Sequence, residues 1–102
     1  NQNSMNFSHF SASYKIGSKK NPHPGYPLLA RKKGWEGIVI VQADIDEKGN
    51  VVKINIKESS GFEVLDNESL RTLKKWKFIP AKQGNQFIED TVEIPIRFIL
   101  TD

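Results

Sequence analysis

The stretch TVEIPIRFIL, residues 91 to 100, sets a proline inside a strongly alternating pattern, and this limits how the chain can fold. Its apolar side chains recur at every second position, which is the period of a β-strand with one buried face. These residues are Val92, Ile94, Ile96, Phe98 and Leu100. Pro95 lies among them and has no amide hydrogen to donate to a neighbouring strand. We therefore expect an edge strand in which the proline nitrogen faces outward.

A hairpin is predicted upstream, in the segment GIVIVQADIDEKGNVVKINIKESSG. Two apolar runs flank a turn at Asp46 to Asn50, in which Gly49 can supply the positive φ that a short hairpin loop requires. The first run is apolar on both faces where it begins, which favours a central strand. In the second run, alternation predicts one set of residues inward and another outward. The inward set is Val52, Ile54 and Ile56, and the outward set is Lys53, Asn55 and Lys57.

One helix is predicted on each side of this hairpin. The first runs through YPLLARKKG, where Pro27 fits the first turn and Gly34 stops the helix after three cations. The second runs through LDNESLRTLKKWKFIP, with Asp66 as its N-cap and Pro80 preventing its continuation. The segment AKQGNQ between the second helix and the last strand is interpreted as a loop.

The end of the second helix, KKWKFIP, combines lysines with aromatic residues and raises the question of nucleic-acid binding. Lys74, Lys75 and Lys77 are expected in the last helical turn, where cations complement the helix dipole. Trp76 and Phe78 are expected to anchor the helix against a sheet rather than to stack on bases.

These elements predict an α+β fold with two layers, in which two helices pack on one face of a three-stranded antiparallel sheet with the first strand central. The chain of 102 residues has room for one domain. Residues 1–21 show no sustained periodicity and are interpreted as a flexible linker or a loosely docked arm, and residues 22–102 as the domain. The sequence has no apolar run that could span a membrane, and its start at Asn1 suggests a fragment whose anchor would lie upstream.

The residues that usually carry catalysis or bind metals are absent or badly placed. There is no cysteine, so a thiolate nucleophile and a cysteine metal site are excluded, while the redox compartment stays open. His9 lies in the predicted arm and His23 in a proline-rich segment, where both are expected to be solvated. DIDEKGNVVKIN is a poor calcium loop because Lys48 occupies a ligand position and Asn55 replaces the bidentate glutamate. We expect no enzyme activity, no metal and no cofactor.

The charge balance permits nucleic-acid binding without requiring it. The formal net charge is +3 and the pI is about 9.2, with the cations scattered along the chain. A sheet that stacks RNA bases presents aromatic side chains to solvent. The outward residues expected here are Lys53, Asn55, Lys57, Glu93 and Arg97, none of which is aromatic. A basic RNA-binding module therefore stays a second alternative, and no nucleic-acid partner is expected.

Residues 22–100 resemble the TonB C-terminal domain in the order of their elements and in a series of short motifs. The matching motifs are Tyr26-Pro27, Glu36-Gly37, Gly49, Ser59-Ser60-Gly61, Leu65-Asp66, Trp76-x-Phe78-x-Pro80-Ala81 and Ile94-Pro95-Ile96-Arg97-Phe98. No single motif is diagnostic, but together they occur in the family's order and at its spacing.

The resemblance implies a periplasmic domain of a Gram-negative bacterium, at the end of a chain anchored in the inner membrane. Such a domain binds the TonB box of TonB-dependent outer-membrane receptors by strand addition. It couples the proton-motive force to the uptake of siderophores, metals or cobalamin, and its missing N-terminal part contacts an inner-membrane proton-channel complex. The first alternative is a TonB-like module of another envelope or signalling protein. The sequence preceding Asn1 would discriminate between the two.

The candidate receptor-binding residues lie in two places. An edge strand offers unpaired backbone groups to another chain, so Glu93, Pro95, Arg97 and Ile99 are predicted to receive the partner. A second copy of the chain could pair with the same edge, which makes a homodimer a competing assembly. The segment NPHPGYP is the second place, because proline restriction lowers the entropy lost when His23 and Tyr26 bind a partner. In the alternative interpretation, Tyr26-Pro27 only caps the first helix.

Overall fold

A computed structural model describes residues 9–101 of the chain. Residues 1–8, the start of the predicted arm, lie outside the described residues. Two helices occur within residues 9–101, α1 (Leu28–Lys33) and α2 (Glu63–Leu73). The strands of this part are β1 (His9–Phe10), β2 (Gly37–Ile45), β3 (Val51–Glu58), β4 (Ala81–Gln83), β5 (Gln86–Ile88) and β6 (Asp90–Phe98). None of the helices described is long and apolar enough to cross a membrane.

The strands form two antiparallel sheets of three strands each. The larger sheet has the order β3-β2-β6 and the smaller one the order β1-β4-β5. The predicted α+β class and the predicted central position of β2 are confirmed, whereas the smaller sheet was not predicted. The packing of both helices as one layer on one face of the sheet stays a prediction.

One face of β2 forms the centre of the core. Its side chains Val39, Val41, Ala43 and Ile45 are each no more than 1% exposed. Helix α2 contacts both β2 and β3. Because successive residues of a strand point to opposite faces, burying these four residues fixes which face of β2 lies inside.

A bulge near the start of β3 changes its predicted alternation. The pairing with β2 shifts by one residue there and leaves Val52 without a partner. Val52 is 63% exposed, and Val51 packs against the core in its place. The prediction of Val52 inward is therefore wrong, because one extra residue moves the alternation by one position. Ile54 and Ile56 pack against the core as predicted.

Gly49 closes the hairpin between β2 and β3, as predicted, with a φ of 86°. The Asp46 carboxylate accepts hydrogen bonds from the amides of Lys48 at 2.9 Å and Asn50 at 2.8 Å. The amide of Phe78 donates to the carbonyl oxygen of Gly49 at 2.9 Å. A Cβ atom at residue 49 would lie only 2.0 Å from the carbonyl oxygen of Phe78. Glycine is thus required both for the turn and for this close approach.

Helix α1 ends where the sequence predicts, at Gly34, which has a left-handed φ of 72°. Its start differs slightly from the prediction. Pro27 has an extended ψ of 138° and precedes the first turn, and its carbonyl oxygen accepts a hydrogen bond from the amide of Arg31 at 2.9 Å.

Helix α2 begins at Glu63, ahead of the predicted N-cap, and Phe62 occupies the N-cap position. The N-cap assignment of Asp66 is wrong, because Asp66 lies in the first helical turn. Its carboxylate accepts hydrogen bonds from the hydroxyl of Ser59, from the amide of Ser60 at 3.0 Å and from the hydroxyl of Ser60 at 2.8 Å. Asp66 therefore holds the preceding serine turn against the start of the helix, where a negative charge is favourable.

Helix α2 ends at Leu73, so the lysines of KKWKFIP follow the last turn and do not lie within it as predicted. Lys74 is the C-cap residue, and the amide of Trp76 donates to the carbonyl oxygen of Leu73 at 3.1 Å. Trp76 is 1% exposed and Phe78 is 5% exposed. The prediction that both aromatic residues are core anchors is confirmed.

Strands β4 and β5 form a hairpin in the segment that was interpreted as a loop. Gln83 pairs with Gln86, so a two-residue turn joins the strands. Gly84 is the first residue of this turn and has a φ of 60°. A glycine with positive φ at that position is characteristic of a type II′ hairpin turn.

Residues 9–21, the described part of the predicted arm, contact the domain. Strand β1 pairs with β4. Ser13 and Ile79 exchange both of their backbone hydrogen bonds, at 3.0 and 2.8 Å. The ring of Tyr14 lies 5.6 Å from that of Trp76, centre to centre. This segment thus adds backbone pairing and an aromatic side chain to the domain.

Candidate functional site

Strand β6 forms one edge of the larger sheet, as the proline predicts. It pairs with β2 from Asp90, opposite Ile45, to Phe98, opposite Gly37. No other strand within the described residues pairs with it. Pro95 lies opposite Ile40, and the ladder continues on both sides of it. The outer side of β6 therefore presents backbone groups that no described strand completes.

The predicted edge residues are exposed. Glu93, Pro95 and Arg97 lie on β6 with exposed side chains, and Ile99 follows the strand with 51% exposure. Lys57 of β3 forms an ion pair with Glu93 in which each side chain is about half exposed. The hydrogen bond from Lys57 to Glu93 is the main cause that raises the pKa of the lysine. Such a solvated pair contributes little to stability, but it holds Glu93 on the outer face of the sheet.

An apolar patch lies on the solvent face of the sheet beside this edge. Ile38 is 45% exposed and lies opposite Arg97, while the partly exposed Ile40 lies opposite Pro95. Residues directly opposite each other in a ladder share a face of the sheet. A strand added to β6 would therefore have apolar side chains beside it as well as backbone groups to pair with.

Phe98 joins the proline-rich segment, residues 21–27, to the end of β6. The Phe98 side chain is 1% exposed. Its ring centre lies 5.4 Å from that of Tyr26 and 5.7 Å from that of His23, and both rings meet it edge to face. The structure thus places His23 and Tyr26 at the end of the strand that carries the other group of candidate residues, although the two groups were predicted separately.

His23 and Tyr26 differ in how firmly they are held. The hydroxyl of Tyr26 donates to the carbonyl oxygen of Trp35, and the guanidinium of Arg31 lies 5.1 Å from the centre of its ring. Desolvation is the main cause that raises the pKa of Tyr26, and the charge of Glu36 adds to it. His23 is exposed, and its Nδ1 lies 2.8 Å from the carbonyl oxygen of Pro24. Tyr26 is thus fixed within the domain, whereas the His23 ring is available to a partner.

The Glu36-Gly37 motif has a structural basis in contacts that the sequence did not reveal. The Glu36 carboxylate accepts a hydrogen bond from the amide of Leu100 at 2.7 Å, which fixes the chain just after β6. A Cβ atom at Gly37 would lie 3.0 Å from both the Cβ and the carbonyl oxygen of Ser60. Both residues therefore position the end of the edge strand against its surroundings.

Asn21 fixes the start of the proline-rich segment and was missed by the sequence analysis. Its side chain is 4% exposed. The side-chain nitrogen of Asn21 donates to the backbone carbonyl oxygen of Lys77 at 2.8 Å, and the side-chain oxygen of Asn21 accepts from the backbone amide of Lys77 at 2.7 Å. The indole nitrogen of Trp76 donates to the carbonyl oxygen of Pro22 at 2.9 Å. Three hydrogen bonds thus tie residues 21 and 22 to the segment after α2.

Residues able to hold a metal ion are not grouped in the part of the chain described. No three histidine, aspartate or glutamate side chains come together there in an arrangement suited to a metal. His9 lies on β1 of the smaller sheet, whereas β6 belongs to the larger sheet. The site described above consists of a backbone edge, apolar side chains and aromatic rings, which is the chemistry of a peptide-binding surface.

The fold and this edge define a small α+β domain of the kind that can bind another chain through an open strand. Comparison with known families gives the same fold a name. Residues 22–100 match the model of the family described as Gram-negative bacterial TonB protein C-terminal. The chain belongs to this family.

Curated relatives and solved structures agree with this assignment. The chain is 39% identical over 88 residues to Protein tonB2 of Pseudomonas aeruginosa, covering 86% of this chain and 33% of that protein. It is 42% identical over 77 residues to Protein TonB of Vibrio cholerae, covering 76% of this chain and 32% of that protein. The chain thus spans about a third of the length of these relatives. The solution structure of the Pseudomonas aeruginosa TonB C-terminal domain matches with a TM-score of 0.68 and 27% identity, covering 83% of this chain and 85% of that one.

Proposed function

We propose that this domain binds a peptide segment of an outer-membrane receptor, the TonB box, by strand addition to the outer side of β6. The observation that carries the proposal is that β6 is an edge strand whose outer backbone groups pair with no described strand and that has an apolar face beside it. The domain acts by binding and by transmitting force, and it has no catalytic role.

Pro95 sets the phase of the proposed pairing. Proline has no amide hydrogen, so Pro95 occupies a position whose backbone points away from β2. Backbone groups alternate in direction along a strand, so those of Glu93, Arg97 and Ile99 also point to the open side. The incoming segment should therefore form its hydrogen bonds with these odd-numbered residues.

The expected affinity is modest. Four or five backbone hydrogen bonds at about 1 kcal/mol net each give roughly 4 to 5 kcal/mol. Association requires about 4 to 15 kcal/mol for lost freedom of motion. Backbone pairing alone therefore leaves little net free energy. Contacts with the patch of Ile38 and Ile40, or with the exposed His23, would supply the remainder.

The proposed cellular setting follows from the family. The domain would lie in the periplasm, as the end of a protein whose upstream part is anchored in the inner membrane and contacts a proton-channel complex. Force derived from the proton-motive force would reach the receptor through the paired strands and drive nutrient uptake. Pulling along paired strands loads several hydrogen bonds together, so a weak complex can still transmit force. A second copy paired with the same edge would compete with the receptor.

The proposal is tested by titrating the isotope-labelled domain with a TonB-box peptide and following backbone amide shifts. The largest shifts should fall between Thr91 and Leu100, with the proline-rich segment second. Shifts centred on Lys53, Asn55 and Lys57, with residues 91–100 unchanged, would rule out pairing at β6.

Two further peptides test the phase of pairing. Each carries N-methyl groups at alternate residues, one on the odd and the other on the even positions. Strand addition uses only one of the two sets of amides, so one methylated peptide should bind as the parent does and the other should not bind. Equal binding of both would contradict backbone pairing and favour a side-chain contact.

A further inference from the structure

A groove lies between the docked arm and the segment after α2, and its residues take no part in the proposed receptor contact. Its volume is about 400 Å³, which falls in the range of sites for small ligands and short peptides. Four lysines and two apolar side chains define what we call the lysine groove. These residues are Tyr14, Lys15, Lys19, Lys20, Lys77 and Ile79.

The groove is positively charged with little compensation nearby. None of the lining residues within positions 9–101 carries a carboxylate. The first 35 residues of the chain contain six cations and no acidic residue, and residues 74–88 are likewise free of acidic residues. Among the contacts described for the arm, one carboxylate meets it, that of Asp90, which accepts a hydrogen bond from the amide of Ala12. A negative ligand in the groove would therefore meet an electrostatic field of one sign.

Three of the four ammonium groups take part in no described ion pair, whereas that of Lys77 donates to the side-chain oxygen of Asn50. Within residues 9–101 the ion pairs do not include Lys15, Lys19 or Lys20. By contrast, the Asn21 side chain is paired with the backbone of Lys77, and the hydroxyl of Ser18 donates to the carbonyl oxygen of Lys15. We therefore expect recognition here to depend on charge more than on a fixed set of hydrogen bonds.

The backbone of Ile79 and the ring of Tyr14 are held in place by contacts with the domain. Ile79 is 68% exposed although its backbone is paired in both directions with Ser13. The ring of Tyr14 lies 5.6 Å from that of Trp76 and 5.5 Å from that of Phe78, centre to centre. An exposed isoleucine beside an anchored tyrosine, surrounded by cations, suits a ligand with an apolar group flanked by negative charges.

We propose that the lysine groove binds an acidic peptide segment of a partner protein, with an apolar side chain against Tyr14 and Ile79 and carboxylates at the lysines. A concave groove fits an extended chain in which one apolar side chain is flanked by carboxylates, whereas a lipid surface is bound by the broad apolar face of an amphipathic helix. This contact is made by different residues from those of β6 and stands whether or not strand addition occurs.

The test is a titration of the isotope-labelled domain with an end-blocked Glu-Glu-Leu-Glu-Glu peptide. Saturable amide shifts are expected at Ser13 to Asn21 and Lys77 to Ile79, weakening as salt rises because the charges are solvated. The matched peptide Gln-Gln-Leu-Gln-Gln should cause no shifts. If the glutamine peptide binds equally well, the proposal is wrong.

Paired variants separate the groove from general charge. Lys19→Gln with Lys20→Gln should weaken binding about twofold to thirtyfold, since each exposed ion pair contributes about 0.2 to 1 kcal/mol. Lys32→Gln with Lys33→Gln, at the end of α1, removes the same charge elsewhere and should change binding by less than about twofold. Equal weakening by the two variants would overturn the proposal.

Two other anions are tested on the same domain. Inorganic phosphate should compete only weakly, and vesicles of phosphatidylglycerol should bind no more strongly to the parent than to the variant of Lys19 and Lys20. If the vesicles bind through these lysines while the acidic peptide causes no shifts, the groove serves a lipid surface and the peptide proposal fails. Neither result depends on the β6 edge, so failure here leaves the test of strand addition intact.

Discussion

Truncation of Asn21 should loosen the junction between the arm and the domain. In Asn21→Ala both hydrogen bonds to the backbone of Lys77, at 2.8 and 2.7 Å, are lost. Two such bonds contribute about 1 kcal/mol each, and a backbone group left without a partner adds to the loss unless water reaches it. We expect a loss of about 1 to 3 kcal/mol in the free energy of unfolding. For a domain of this size that corresponds to a decrease in Tm of roughly 5 to 20 °C.

The substitution Asn21→Asp tests the same contact through its pH dependence. A carboxylate can still accept from the amide of Lys77, but it faces the carbonyl oxygen of the same residue without a proton to donate. Burial beside that oxygen should raise the pKa of the new carboxyl above its unfolded value of about 4. A raised pKa means that the contribution to stability is present below the unfolded pKa and is lost as pH rises through the folded one. The variant should therefore lose stability, relative to the parent, between about pH 4 and 7.

Thermal and chemical unfolding followed by far-ultraviolet circular dichroism measure both effects, and amide exchange at Lys77 reports the broken bond directly. Asn55→Ala is the matched control, because Asn55 lies exposed on β3 and should change the Tm little. If Asn21→Ala and Asn55→Ala lower the Tm equally, or if the amide of Lys77 exchanges no faster in Asn21→Ala, the proposed fixation by Asn21 is wrong.

Three other predictions concern the core, a turn and acid stability. Trp76→Ala should lower the free energy of unfolding, measured with denaturant, by about 3 to 5 kcal/mol because Trp76 is 1% exposed. Lys74→Gln with Lys75→Gln should lower it little, and the reverse order would contradict the core role of Trp76. Gly49→Ala should lower the Tm more than Gly61→Ala. Both glycines have a positive φ, but only at residue 49 would the added Cβ lie 2.0 Å from a backbone oxygen. Equal losses in Tm would mean that the backbone strain of the positive φ is the sole cause and that the close approach does not matter. Hydrogen bonds from the amides of Asn50 and Lys48 lower the pKa of Asp46, so its contribution to stability is lost as pH falls below about 4. Asp46→Asn should therefore flatten the acid side of the curve of stability against pH, and an unchanged curve would refute this.

The larger sheet was predictable because the alternation in its strands is strong and because its proline and glycine residues each favour one kind of backbone position. Alternation in TVEIPIRFIL indicates a strand, and a proline within it is compatible only with an edge. Gly34 and Gly49 mark a helix end and a hairpin through their positive φ, and both do so in the structure. In these places local preference and the final packing agree, so the sequence alone is sufficient.

The errors occur where a tertiary contact decides between local options. Val52 follows the alternation of β3, but a bulge that periodicity does not reveal turns it to solvent. Aspartate is a common N-cap residue, yet Asp66 lies in the first helical turn of α2. There its carboxylate accepts hydrogen bonds from the serine turn that precedes the helix. The β4–β5 hairpin was missed although Gly-Asn between short strands is a recognised turn signal, because strands of three residues give too little alternation.

The candidate site was predictable in its parts and not in its assembly. The edge was predicted from Pro95, and His23 and Tyr26 were singled out because they lie in the proline-rich segment; that these residues bind a receptor stays a prediction. Their meeting at Phe98 depends on contacts between residues more than 70 positions apart, and nothing in the local pattern indicates it. Asn21 gave no signal at all, since a buried asparagine that pairs with a backbone cannot be distinguished by sequence from one in a loop.

The contacts of residues 21–26 suggest how tension on the upstream chain would reach the proposed binding edge. Asn21 and the carbonyl oxygen of Pro22 are tied to the segment after α2, and His23 and Tyr26 contact Phe98 at the end of β6. The six-residue segment therefore connects the buried Trp76 to the edge strand through direct contacts. Its prolines restrict the backbone, so little of an applied extension would be taken up by local unfolding. If force enters the domain from the N-terminal side, as we propose, it first loads the pairing of the arm with β4 and Ile79 and then the hydrogen bonds of Asn21. Strand addition at β6 would then place the partner at the other end of this series of contacts.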